Sequence, residues 1–142
     1  MKNILIIGTV ILSTLVCGCV LKYEDISNEP EYSPLLNNRY ALKTEMYIFG
    51  INLPPGYGDD INLYVTYPVG LGKISGPEVL SEEILKVGTI LEIQSIKRSI
   101  NHLPGYQEID AVVTVNPYEK AVNVPVTIDL KYLQSTNYVN KL

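Results

Sequence analysis

One histidine, His102, and one pair of adjacent acids in a glycine-flanked loop, Asp59-Asp60, are the first residues to test for chemistry. An imidazole titrates close to neutrality and suits a general base or a pH switch. His102, however, sits beside Pro104-Gly105 in a turn, and a hydrolytic triad needs a nucleophile on an elbow such as G-x-S-x-G. Ser75, Ser81, Ser95 and Ser99 stand in no such context. Asp59 and Asp60, with Asn62, offer oxygen ligands of the kind calcium takes. They lack the D-x-[DN]-x-[DN]-G order and the distal glutamate of a calcium loop, so an Asp/Gly turn explains them better. Glu82-Glu83 read as the solvated side of a short helix, since paired acids for glycoside hydrolysis require a cleft between them. Gly70-Leu71-Gly72-Lys73 has neither the length nor the trailing hydroxyl of a phosphate loop and is a turn. No catalytic residue is expected, and the chain is read as a non-enzyme.

Two thiols remain. Met1-Lys2-Asn3 is a short positive start, Ile4 to Val16 is uncharged and apolar, and Leu15-Val16-Cys17-Gly18-Cys19 closes the run. This is the three-part layout of a secretory signal, but it ends in cysteine where a small-residue site would stand. The pattern resembles the lipobox of bacterial lipoproteins. That resemblance implies diacylglycerol on the Cys19 thiol, cleavage between Gly18 and Cys19, and a signal peptide spanning residues 1–18. Val20 in place of Asp beside the lipidated residue implies, in a Gram-negative host, an outer-membrane protein facing the periplasm. The competing reading is an uncleaved helix over Ile4–Leu21, at the lower limit of about 17–25 residues for a membrane span. Gly8, Thr9, Ser13, Thr14 and Gly18 dilute it, and no basic cluster follows to stop transfer.

The 142 residues less the 18 of the leader leave 124, one domain with enough chain for its own core. Cys17 leaves with the leader and Cys19 is taken by lipid, so no disulfide is expected. One histidine without a thiol also falls short of a zinc site; no metal and no cofactor are expected. Lys2 is lost too, leaving ten basic against fifteen acidic residues. An acidic surface with only Lys97-Arg98 adjacent argues against nucleic acid, which demands clustered cations. The 11 tyrosines, with one Phe and no Trp, fit half-buried strand surfaces and also interfaces, where the ring is buried and the hydroxyl stays wet.

The pattern along the chain predicts a flexible tether over residues 19–38, a β domain over 39–134 and a polar, frayed tail over 135–142. Tyr40, Leu42, Met46 and Ile48 share one face of a strand running from Arg39 to Phe49, and Ile61, Leu63, Val65 and Tyr67 share one face of a second. Ser75-Gly76-Pro77-Glu78 fits a capping box ahead of a helix from Pro77 to Lys86 that ends at Gly88. The phase slip between Ile93 and Ile96 predicts a β-bulge at Gln94-Ser95. Ile109 to Val115 is a fourth strand. Val122 to Tyr132 is a fifth, and Pro125 within it predicts an edge position or a Pro125 turned away from its neighbour. These elements predict an all-β fold with one short helix, laid out as a small antiparallel SH3-like barrel, with a two-sheet sandwich as the alternative.

The functional expectation is a lipid-anchored envelope protein that binds a protein partner, as an inhibitor or immunity protein does. A structural subunit of an envelope or secretion complex is the alternative, and a cell-wall hydrolase ranks below both. Loops on a rigid β scaffold are where binding residues concentrate. Tyr57, Asp59 and Asp60 in the first loop and Tyr106 in the turn after His102 are therefore the expected partner-binding residues.

Overall fold

The computed structural model describes residues 23–53, 58–100 and 108–142. The chain is all-β with one short helix. In chain order the strands are β1 (Tyr23–Asp25), β2 (Arg39–Leu42), β3 (Met46–Ile51), β4 (Leu63–Pro68), β5 (Val79–Leu85), β6 (Ile90–Ser99), β7 (Ile109–Asn116), β8 (Val126–Asp129) and β9 (Val139–Lys141). The helix, α1, is Leu130–Leu133, and short 3-10 turns lie at Ser33–Leu35 and Glu119–Ala121. The strands form one sheet in the order β5-β3-β4-β8-β7-β6-β2-β9, with β1 also paired to β6. β4 and β8 run parallel. β5 and β9 close no ladder with each other among the described residues, so the expected closed antiparallel barrel is replaced by an open mixed sheet.

A single apolar cluster gathers Tyr40, Leu42, Met46, Ile48, Leu91, Ile93, Ile96, Val113, Ile128 and their neighbours. The alternation over residues 40–48 is borne out, since Tyr40, Leu42, Met46 and Ile48 are all buried. The single strand expected there is divided into β2 and β3, which pair with different partners. The bulge is also present. Ile93 lies opposite Val113 and Ser95 opposite Val112, leaving Gln94 as the extra residue. This one insertion keeps Leu91, Ile93 and Ile96 in the core along a bent β6.

Four expectations are overturned. Residues 77–86 are not a helix: Ser75 to Glu78 makes a turn, closed by the Val79 amide donating to the Gly76 carbonyl at 3.1 Å, and β5 follows. Leu80, Ile84 and Val87, the helical period, are exposed, while the alternating position Leu85 is buried. Pairing with β3 therefore overrides local helix preference. Gly88 still adopts the left-handed backbone expected of it, with φ +88°, but it turns the chain from β5 toward β6. At Gly50 of β3 an added Cβ would meet the side-chain ends of Ile61 and Ser81, which would have to move aside.

The segment read as a tether is part of the fold from Tyr23 onward. β1 pairs with the end of β6, Tyr23 opposite Ser99 and Asp25 opposite Lys97. Ile26 is 2% exposed and Tyr32 6%, and the Arg98 guanidinium holds Glu29 with two hydrogen bonds of 3.2 and 2.9 Å. The low apolar content of the segment hid two well-placed anchors. The tail is likewise ordered: β9 pairs with β2, and Val139 is buried. The eleven-residue strand expected over 122–132 shortens to β8, because Asp129 caps α1 by accepting from the Lys131 amide at 3.0 Å. Pro125 precedes β8, which lies inside the sheet between β4 and β7 rather than at an edge. Its missing donor is not needed, and its carbonyl accepts from the Tyr64 amide at 2.9 Å. No helix among the described residues is long and apolar enough to cross a membrane.

Candidate functional site: a cleft on the outer sheet face

The parallel β4–β8 pair is braced by side chains, Thr66 Oγ1 donating to the Thr127 carbonyl at 3.1 Å and Thr127 Oγ1 to the Tyr64 carbonyl at 3.2 Å. These bonds fix the middle of the sheet, where Val65, Thr127 and Val112 follow one another across three strands. One step along the strands the same row becomes charged: Asp25 faces Lys97, Lys97 faces Asp110, and Asp110 faces Asp129. Directly opposed residues place their Cβ atoms about 4.5–5.5 Å apart. A cleft of about 330 Å³ opens over this region, walled by Val65, Tyr67 and Ile74 on one side and by Tyr23, Asp110 and Asp129 on the other. A second recess of about 340 Å³ continues past Glu108, Asp129 and Lys131 toward Glu31 and Gln134.

The carboxyl of Asp110 is pushed up to about 7, first by burial and then by the charges of Glu108 and Asp129, with Lys131 pulling the other way. It is therefore divided between protonated and ionised forms near neutrality. Tyr23, brought in by β1, has its phenol raised by burial and by the same Asp110 and Glu108. Asp129 is differently placed. One oxygen caps α1, and the other lies 2.5 Å from the Lys131 ammonium. Tyr67 packs edge-on against Tyr132, ring centres 5.7 Å apart, and Tyr132 packs in the same way on Tyr138.

No match to a family model, a curated protein or a solved structure is found for this chain.

A different recess lies at the other end of β7 and β8. It measures about 370 Å³ and is lined chiefly by Val112, Val115, Tyr118, Val122, Val124 and Val126. Tyr118 spans it to β5 by donating to Glu83 at 3.1 Å, and Lys120 holds the other oxygen of Glu83 at 2.9 Å. Lys120 first and Tyr118 second hold the Glu83 carboxyl below its usual range. Glu82 points to the opposite side and pairs with Lys73 at 2.6 Å, with Lys73 also lying over the Tyr47 ring. The two glutamates expected on one helix face thus serve opposite faces of a strand.

Of the residues expected to bind a partner, Tyr57 and Tyr106 lie outside the described residues, as do His102 and Cys19. Asp59 and Asp60 are exposed in a loop stitched by Asn52 and Asn62; Asn52 Nδ2 donates to the Asp60 carbonyl at 2.6 Å. Neither acid lines the cleft. Among the described residues no group of acids, histidines or thiols is arranged to hold a metal ion. Asp110 was legible as an acid alternating with apolar strand residues, but its meaning depends on Asp129 across the strand, which no local pattern discloses.

Proposed function

We propose that this is a lipid-anchored protein of the cell envelope, held through Cys19, that binds a protein partner without acting on it chemically. The observation that carries the binding reading is the outer-face cleft. It combines apolar and tyrosine walls with a few converging polar groups, the make-up of recognition sites, and it is large enough for a side chain of a partner. The excess of acidic over basic residues in the mature chain favours a basic partner surface through electrostatic steering. In a Gram-negative host Val20 favours the outer membrane.

The opposed Asp110 and Asp129 favour a second reading, a cell-wall glycosidase using a pair of carboxyl groups. It is the weaker one, because both oxygens of Asp129 are already engaged by the amide and ammonium of Lys131. A photo-crosslinking residue placed in turn at Thr127, Asp60 and Val122, in cells, separates these possibilities. A protein adduct at Thr127 is expected. Adducts confined to Asp60 move the site to the loop, and adducts confined to Val122 move it to the valine recess. Release of sugars from purified cell wall by the wild-type protein but not by Asp110→Asn would establish the hydrolase instead.

A further inference from the structure

The lipid anchor and the folded domain are closer in sequence than a tethered protein requires. Only Val20, Leu21 and Lys22 separate Cys19 from Tyr23, the first residue of β1. Four residue-to-residue steps of at most about 3.6 Å bound that separation at about 14 Å. Tyr23 is no loose end, since it faces Ser99 in the β1–β6 ladder, and β1 continues into the buried Ile26 and the doubly bonded Glu29. The point of attachment is therefore fixed at one end of β6. Ile100, which follows Ser99 at that end, is 54% exposed, and Tyr23 is 39% exposed. Ten residues of β6, at about 3.3 Å each, put its start about 30 Å away. There Ile90 faces Asn116; the exposed Val122, farther along the chain, lines a recess with Gln94, which is about 17 Å along β6 from Ser99.

We propose that the domain rests on the bilayer surface through the Tyr23–Ile100 end of the β1–β6 pair, with the Val122 end directed away from the membrane. This rests on lipidation of Cys19. The contact is set by the short connection and by apolar and tyrosine side chains, not by charge. At that end Glu24, Asp25, Glu29, Glu108 and Asp110 outnumber Lys97 and Arg98, with Glu24 and Glu29 both on Arg98, so no cationic patch draws it to lipid headgroups. The orientation is thus insensitive to salt and holds on uncharged lipid. It also places Tyr23, one wall of the cleft, beside the membrane, so a partner reaches the cleft from the flank and not from above.

The test uses the full lipidated protein in phosphatidylcholine vesicles carrying a headgroup nitroxide quencher. With Cys19 blocked by its thioether, a single cysteine introduced as Ile100→Cys or Val122→Cys takes a fluorophore. Quenching several-fold stronger at position 100 than at 122, unchanged between low and high salt, is expected. Inserting about twenty Gly/Ser residues between Lys22 and Tyr23 lengthens the connection to flexible-coil dimensions and should largely abolish the difference. Equal quenching at the two positions, or stronger quenching at 122, in protein that still floats with the vesicles overturns the orientation alone. Failure to float overturns the lipid anchor and the orientation with it. If Ile100→Cys does not fold, Glu24→Cys reports on the same end.

Discussion

The two ends of the β7–β8 pair differ in what they gather. At one, Asp110 opposes Asp129 beneath Tyr23 and next to Glu108. At the other, Val112, Val115 and Val126 line a recess closed by Tyr118. The valine end gathers apolar side chains beside Tyr118 and its bond to Glu83. The acid end holds a carboxyl away from water among like charges, which destabilises the folded state once that carboxyl ionises. A fold built only for stability would carry apolar residues at both ends. The acid end is also where β1 joins the sheet by pairing with β6, so the buried carboxyl and the attachment point we propose coincide.

The largest expected effect concerns that attachment. Cys19→Ala should abolish membrane association and leave the protein uncleaved or soluble, checked by fractionation and by incorporation of labelled palmitate. A C19A protein that still fractionates with membranes at its processed size and takes up palmitate contradicts the lipobox reading. Ile26→Ala comes next. With the side chain buried in the main cluster, its truncation should lower unfolding stability by about 2–5 kcal/mol. A loss below about 0.5 kcal/mol in a denaturant titration would return residues 23–38 to the status of a tether.

The acid end should then show itself in pH dependence. Asp110 takes its proton at about 7 when folded, against 3.8 ordinarily. Below pH 4 both states are protonated, and above pH 7 both are ionised. Between these values the folded state binds more protons, so stability falls as pH rises, by about 2–4 kcal/mol. Asp110→Asn should remove most of that slope and leave the protein more stable than wild type at pH 8. A wild-type slope of opposite sign over this window, or one that persists in D110N, contradicts the assignment. The smallest effect belongs to the valine end. Val122, 70% exposed, should change stability by less than about 0.5 kcal/mol when replaced by Ala.

How far these features can be read from the sequence depends on whether they are local. The bulge at Gln94 and the buried face of Tyr40, Leu42, Met46 and Ile48 were legible because a period of two, and its slip, are properties of consecutive residues. The all-β class followed from the same alternation. β5 was misread because Leu80, Ile84 and Val87 carry a helical period that the fold leaves in solvent, while the need of β3 for a neighbour decides the outcome. The C-terminal strand was missed because three residues, only one of them buried, carry too little pattern. The site was the least legible of all. Asp110 and Asp129 are nineteen positions apart, and only their register makes them neighbours.

Both the proposed membrane contact and the composition of the cleft depend on one claim, that the chain is folded from Tyr23 onward. Hydrogen exchange on the backbone amides of residues 26–36 tests it most directly. The Ile26 amide donates to the Ile96 carbonyl at 3.0 Å, and the Tyr32 and Ser33 amides to the Glu29 carbonyl at 2.9 Å. Protection of Ile26 approaching that of the β6 amides, with measurable protection through Leu36, is expected. Exchange across the whole segment at the rate of an unstructured peptide would contradict it.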